Sequence, residues 1–261
     1  MPRITNWLGN VSHMTREVVR PTRVEEIQEV LRNSHRYPCP VRVSGANHSV
    51  TEVAVAEQGT FIDMRKMKRI DKPVTRNGVT TITAEAGARY ICVAKALRGE
   101  RVHIDAPFDP GFQLFVNCEI GSLTMGAAAS GATKDSSFFP DEYGQVGSYV
   151  RSVKMVKPDG SLITIDETTE DPWSLKTIRS GYGLLGVIYE VTIEVKPHTI
   201  MKVWHEELSL DEFLARLPGL NQNPEGSVFA YMFPYEAKIV LEHRSYPDPN
   251  ASTGDISPWL F

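Results

Sequence analysis

Three short segments of this sequence carry residue types that act by letting a bound molecule come close. The first is Val41-Arg42-Val43-Ser44-Gly45-Ala46-Asn47-His48-Ser49, a short apolar strand running into a turn of small residues that ends in His-Ser. Small residues let backbone N–H groups approach a phosphate, and successive N–H groups in a turn form an anion-binding concavity. A histidine directly after such a turn stands beside whatever the turn binds, and imidazole is a competent nucleophile. The second is Gly121-Ser122-Leu123-Thr124-Met125-Gly126-Ala127-Ala128-Ala129-Ser130-Gly131-Ala132-Thr133, nearly free of bulky side chains, on which a flat molecule can lie against the backbone. The third is Gly181-Tyr182-Gly183-Leu184-Leu185-Gly186, with the spacing G-x-G-x-x-G. Each has an ordinary alternative: a solvated surface turn for the first, a close-packed helix or turn for the second. A dinucleotide fingerprint is rejected for the third, because that motif needs a strand before it and a helix after it. Here a helical segment, Trp173 to Arg179, precedes the glycines and an alternating strand follows, so a glycine loop feeding a central strand is expected instead.

The elements that must position these segments are legible from periodicity. Pro21-Thr22-Arg23-Val24-Glu25 opens a helix, with Thr22 and Glu25 at capping-box spacing and Val24, Ile27, Val30 and Leu31 on one stripe. Pro38 and Pro40 end it and lead into the strand Val41 to Val43; Phe61 to Met64 reads as another strand. Ile82, Ala84 and Ala86 alternate with Thr81, Thr83 and Glu85, which predicts a half-buried strand broken at Gly87, before a helical stripe of Tyr90, Val93, Ala94 and Leu97. Arg151 to Val156 and Ser161 to Ile165 flank the hairpin turn Pro158-Asp159-Gly160, and Val187 to Val195 alternate up to Pro197. This mixture predicts an α+β fold with more than one small sheet.

After Pro197 the texture changes. Met201 to Leu208, Val228 to Met232 and Ala237 to Leu241 read as strands, and Ser209 as the cap of a helix through Leu217. Residues 13–198 are thus expected to form one domain and residues 199–261 the start of a second, which Tyr246 to Phe261 leave incomplete.

Composition narrows the function classes. Of the 261 residues 41% are hydrophobic, enough for a packed core, and 28 Lys and Arg against 32 Asp and Glu give a net charge of −4 with no long basic run, which argues against nucleic acid as the main partner. Cys39, Cys92 and Cys118 are three and widely spaced, so neither a disulfide framework nor a zinc site is expected. The scattered histidines show no His-x-x-x-His spacing, and no metal site is expected. Asp141 and Glu142 read as a solvated acidic pair. Met1 to Asn10 lack the apolar core of a signal peptide and no run approaches transmembrane length, from which a cytoplasmic protein without a membrane span is expected.

In order along the chain, the segments resemble the vanillyl-alcohol oxidase-type (PCMH-type) FAD-binding domain, in particular its branch of sugar-lactone and alditol oxidases. The resemblance runs from Trp7 to Pro197. It is carried by Pro21-Thr22-Arg23-Val24-Glu25-Glu26, Gly45-Ala46-Asn47-His48-Ser49, Ile62-Asp63 with Met67-Lys68-Arg69-Ile70, Glu85-Ala86-Gly87, Thr124 to Ala127, Asp159-Gly160 and Gly183 to Ile188. It implies a two-subdomain FAD-binding fold followed by an incomplete cap domain. Ser44, Gly45, Ala46, Asn47, His48 and Ser49 would wrap the FAD pyrophosphate, and His48 would be the histidine often bonded to the flavin 8α-methyl. Ser122, Thr124, Gly126, Ala127 and Thr133 would line the flavin and its ribityl chain, and Gly183, Gly186 and Ile188 would pass near the ring or the adenosine half. Trp173 and Tyr182 are expected to pack at the domain edge.

The chain departs from the family pattern in four places. Asn47 stands where glycine is usual. Ala132-Thr133-Lys134 replace Gly-Thr-His, Arg101 to Cys118 match poorly, and the C-terminal segment that returns to the flavin is lacking. The implied function is FAD-dependent oxidation of a small alcohol, sugar or aldonolactone by hydride transfer to flavin N5, with a small-molecule substrate and an electron acceptor. No residue is assigned as the catalytic base. The alternatives are a truncated or subunit-type flavin-binding module, inactive alone and needing a partner chain (a partner subunit or an oligomer), and a non-flavin α+β protein with coincidental glycine turns.

Overall fold

The computed structural model describes residues 1–99, 111–116, 118, 120–134, 142–199, 202–220 and 226–245. Asp141, most of Arg101 to Cys118, and Tyr246 to Phe261 lie outside them. Packing divides the chain into two units, residues 1–134 with 145–196, and residues 135–144 with 197–261.

The first unit opens with a hairpin, β1 (Arg3–Thr5) and β2 (Ser12–Met14), paired antiparallel. Next come β3 (Glu17–Val19), α1 (Val24–Arg32), β4 (Val41–Ser44) and β5 (Thr60–Asp63), forming a parallel sheet in the order β3-β5-β4. Parallel neighbours need a crossover, and α1 supplies one between β3 and β4. The predicted stripe packs inward, with Ile27 and Val30 buried and Val24 and Leu31 partly so. The cap differs from the expected box: the helix starts at Val24, and the Glu26 carboxylate accepts the Thr22 N–H at 2.6 Å. Thr22 lies one residue before the N-cap, so Glu26 rather than Glu25 reaches back to it.

A larger antiparallel sheet follows. Its elements are β6 (Val74–Arg76), β7 (Val79–Glu85), α2 (Tyr90–Leu97), β8 (Phe112–Leu114), α3 (Met125–Ser130), β9 (Val150–Val156), β10 (Leu162–Asp166), α4 (Leu175–Ile178) and β11 (Val187–Pro197). The strand order is β10-β9-β11-β7-β6, with β8 also pairing with β11. The central β11 alternates as predicted, and Ile193 faces Ile82 of β7 in register, both buried. Each such side chain contributes on the order of 1.5–3 kcal/mol by leaving water. A register shift between Ile188 and Glu190 takes Tyr189 out of the β9 ladder, and its carbonyl accepts the Ala86 N–H at 2.8 Å. The shift leaves Val187 and Ile188 both buried where strict alternation would bury one. Ile27, Ile62, Ile82, Met125, Val153 and Val191 belong to one hydrophobic core that joins both sheets and their helices.

The second unit contains β12 (Lys202–Ser209), α5 (Leu210–Leu220), β13 (Gly226–Phe233) and β14 (Lys238–Ser245), in an antiparallel sheet of order β12-β14-β13. Leu208, Phe213, Ile239 and Leu241 form its core. Ser209 caps α5 as expected: the Glu212 N–H donates to Ser209 Oγ at 3.3 Å, and the Ser209 N–H donates to the Glu212 carboxylate at 2.9 Å. The helix runs to Leu220, past the expected end at Leu217, and β14 runs four residues beyond Leu241. Glu242-His243-Arg244 lie beyond the expected strand end at Leu241. The structure instead continues the ladder and buries Glu242 and Arg244. Among the described residues no helix is long and apolar enough to cross a membrane.

Candidate cofactor site

Strand β4 delivers the Gly45–Ser49 turn. Asn47 takes the left-handed conformation at φ 57°, which asparagine visits more readily than most residues, so it replaces a glycine without breaking the turn. Its side chain is used as well: Nδ2 donates to the Thr5 carbonyl at 3.1 Å, and Ser44 Oγ donates to Oδ1 at 3.3 Å. The tip of the β1–β2 hairpin straps the outer side of the turn. The Trp7 N–H donates to the Asn47 carbonyl (3.2 Å), Trp7 Nε1 to the His48 carbonyl (3.1 Å), Asn6 Nδ2 to the Ser49 carbonyl (2.9 Å) and Asn10 Nδ2 to the Val50 carbonyl (3.1 Å). The carbonyls are thus committed while the N–H groups of residues 46–50 have no acceptor among the described residues. Consecutive unpaired N–H groups in a turn are what an anionic ligand requires, and leaving them unmet is costly.

The second segment meets the turn directly. A Cβ on Gly45 would stand 1.9 Å from Thr124 Oγ1, so only glycine admits this approach. The start of α3 is joined to the Ala86–Ala88 turn, with the Met125 N–H on the Ala88 carbonyl and the Gly126 N–H on the Ala86 carbonyl, each at 2.9 Å. The third segment attaches through the Tyr182 N–H, which donates to the Ser130 carbonyl at 3.0 Å. Gly183 at φ 72° passes Val43, and a Cβ on Gly186 would fall 2.6 Å from the Val156 carbonyl oxygen as the chain enters β11.

The three segments enclose a cavity of about 250 Å³. Ser44, Gly45, Ala46, Asn47, His48, Ser49, Thr124, Gly126, Ala127, Gly183, Gly186 and Ile188 line it. Ser122 stands beside His48, with Oγ 2.6 Å from Nε2. Thr133 lies away from the lining, donating its N–H to the Gly131 carbonyl and accepting from Val146. Tyr182, expected at the domain edge, is a lining residue, as are Ser130, Ala86 and Met64. The small-residue runs signal Ser130 and Ala86; nothing local signals Met64. Among the described residues no Lys, Arg, Asp or Glu lines the cavity. Close by in sequence to Met64, Asp63 is buried, which pushes its carboxyl up, but the hydrogen bonds and charge of Arg65, with Arg20, hold it below the usual carboxylate range.

His48 is the imidazole among the described lining residues. Trp7 packs on it with ring centroids 5.6 Å apart, and Nδ1 is sealed from water with no hydrogen-bond partner. Such an orphan costs about 1–3 kcal/mol, which marks a site completed by a group from outside the chain. The free N–H run, the uncharged small-residue walls and the orphaned nitrogen together fit a flat molecule carrying phosphates.

The second unit is built in another manner. Glu242 and Arg244 form a buried ion pair on one face of β14, and His205 Nε2 and Tyr231 OH each lie 3.3 Å from Glu242 Oε2. Across the sheet His243 stacks on Trp204 at 5.0 Å. His243 also pairs with Glu206, whose carboxyl is held below its usual range by hydrogen bonding to Arg216 first and to His243 as well. Sequence reading missed this cluster; the Glu-x-Arg spacing, which places both charges on one strand face, is the signal that pointed to it.

Comparison with known proteins agrees with the geometry. The chain is 26% identical over 255 residues to the L-gulono-1,4-lactone dehydrogenase of Mycobacterium tuberculosis, covering 97% of this chain and 55% of that protein. It is 26% identical over 197 residues to an alditol oxidase of a Streptomyces species, covering 74% and 42%. With the D-arabinono-1,4-lactone oxidase of Candida glabrata the identity is 22% over 238 residues, covering 90% and 42%. The chain therefore spans about half the length of these relatives. Residues 15–166, more than half of the chain, match the FAD binding domain model, so the chain belongs to that family and its cofactor is FAD.

Proposed function

We propose that this chain is the flavin-holding part of an oxidoreductase that oxidises a small alcohol, sugar or aldonolactone. The observation that carries the reading is the convergence of three separated small-residue segments on one cavity whose turn offers unpaired N–H groups. FAD, when bound, supplies the hydride acceptor at its N5. The N–H groups of residues 46–50 bind its pyrophosphate, and the walls formed by Thr124, Gly126, Ala127 and Gly183 to Ile188 orient the ring and shed water from it. His48 holds the flavin covalently. The names of the relatives, lactone dehydrogenases and oxidases and an alditol oxidase, favour the same substrate classes.

The test is anaerobic titration of the purified yellow protein with L-gulono-1,4-lactone, D-arabinono-1,4-lactone and xylitol. It is run on this chain and on the longest reading frame that contains it. Bleaching of the flavin absorbance by one of them supports the proposal. A flavin-loaded protein that none of them bleaches in either form sinks the substrate class, and a protein that takes up no FAD sinks the whole reading.

A further inference from the structure

We infer that Ser122 is a positioning residue for His48: its hydroxyl takes the Nε2 hydrogen of the imidazole and so leaves Nδ1 as the nitrogen that bonds the flavin. This deepens the proposed function and rests on its reading of the cavity as the FAD site.

The geometry fixes His48 on three sides. Trp7 Nε1 holds its carbonyl at 3.1 Å, the Trp7 ring lies tilted against the imidazole, and Ser122 Oγ meets Nε2 at 2.6 Å. Nδ1 is left sealed with no partner. A neutral imidazole carries one hydrogen and one lone pair, and the partner of one nitrogen decides the state of the other. A hydroxyl can donate or accept, so the pair allows two arrangements. If Ser122 donated to Nε2, the hydrogen would sit on Nδ1, a buried N–H with no acceptor, which is the rarer kind of orphan. If Nε2–H donates to Ser122, Nδ1 holds a free lone pair. The second arrangement leaves the nucleophilic nitrogen uncommitted.

The bond that forms joins Nδ1 to the carbon of the flavin 8-methyl group. That methyl group loses one C–H bond; its electron pair passes to the ring system, which is reduced by two electrons, and its proton is released. The imidazole loses its Nε2 hydrogen to the solvent by way of Ser122. Dioxygen is the oxidant that restores the ring: it takes the two electrons and two protons and leaves as hydrogen peroxide.

The experiment uses the full chain, produced in a riboflavin-limited host, and compares wild type with Ser122→Ala, Ser122→Cys and Ser122→Thr. FAD is added in air. Attachment is followed as acid-stable fluorescence and as a mass gain of one FAD, and ¹⁵N-histidine NMR of the flavinylated peptide identifies the bonded nitrogen. Wild type is expected to give one product, linked through Nδ1. Ser122→Ala and Ser122→Cys, the latter a weak acceptor of similar size, attach about tenfold more slowly and yield some Nε2-linked product. Ser122→Thr keeps the wild-type rate and the single product. Unchanged rate and linkage in both Ser122→Ala and Ser122→Cys overturn the inference, as does Nε2 linkage in wild type. Wild-type protein that binds FAD only reversibly overturns it too, but leaves the FAD reading standing. Protein that takes up no FAD in any form overturns both. Reversible flavin absorbance, measured before attachment, separates a misfolded variant from a slow one, and should Ser122→Ala fail to bind FAD, Ser122→Cys decides.

Discussion

The two units place their polar groups by opposite means. In the first, the cavity is lined mainly by small residues, hydroxyls and apolar side chains, with Asn47 and His48, and among the described residues no Lys, Arg, Asp or Glu lines it. Its polarity is that of N–H groups whose positions the fold dictates. In the second, Glu242, Arg244, His205 and Tyr231 meet within one sheet and bind one another. The first arrangement keeps groups free for a ligand and stabilises little without it; the second neutralises its charges internally and stabilises the unit that carries them. A cofactor that stays bound suits the former, since main-chain donors need no side-chain ordering.

If this contrast is right, substitutions in the two units should fail in different ways. The largest effect is expected from Glu242→Ala, which removes the carboxylate on which a buried guanidinium, an imidazole and a phenol converge. A loss of about 3–5 kcal/mol is expected for breaking a buried pair, read as increased hydrogen exchange in β12 to β14 with FAD affinity unchanged. Loss of FAD affinity in that variant would break the comparison. Next is Gly45→Ala, whose methyl meets the Thr124 side chain. Overpacking of about 1–3 kcal/mol should raise the FAD dissociation constant by roughly fivefold to 160-fold, and adding Thr124→Gly should recover most of it. A Gly45→Ala protein with wild-type FAD affinity would show that the turn is not the phosphate cradle.

The smallest effect concerns pH. Burial lowers the pKa of His13, with Glu57 opposing, and Nε2 of His13 has no partner. The neutral form is therefore favoured in the folded state. Its contribution is present above the unfolded pKa and is lost as pH falls through the folded one, because the unfolded chain takes up the proton first. Unfolding of the first unit, followed by urea titration, should become easier from pH 7 toward pH 5, and His13→Gln should flatten that slope.

Much of this was legible because local pattern decides local structure. The stripe of α1, the alternation of β7 and β11 and the turn at Asp159-Gly160 are properties of neighbouring residues, and each element lies where its periodicity puts it. The three small-residue segments were legible for the same reason, although Thr133 falls beyond the point where the second segment leaves the cavity. What could not be read were partnerships across the chain. Ser122 and His48 are 74 positions apart. Asn6, Trp7 and Asn10 carry no periodicity of their own, and only the hairpin brings them to the turn. Glu242 and Arg244 go unassigned, because an isolated charge gives no sign that it will be buried; only the sheet reveals that each has the other.

The strap of the β1–β2 hairpin over the Gly45–Ser49 turn also sets an order of assembly. The cavity draws on the strap at Asn6 to Asn10, on the turn it holds, on Ser122 to Gly131 and on Tyr182 to Ile188. Contacts so far apart in sequence close late, because loop entropy must be overcome before they are rewarded. On a ribosome the strap emerges first and waits for nearly the whole unit. Removing residues 1–10 should therefore slow flavin uptake by the refolding chain, because the turn loses the Asn6, Trp7 and Asn10 hydrogen bonds that hold its carbonyls.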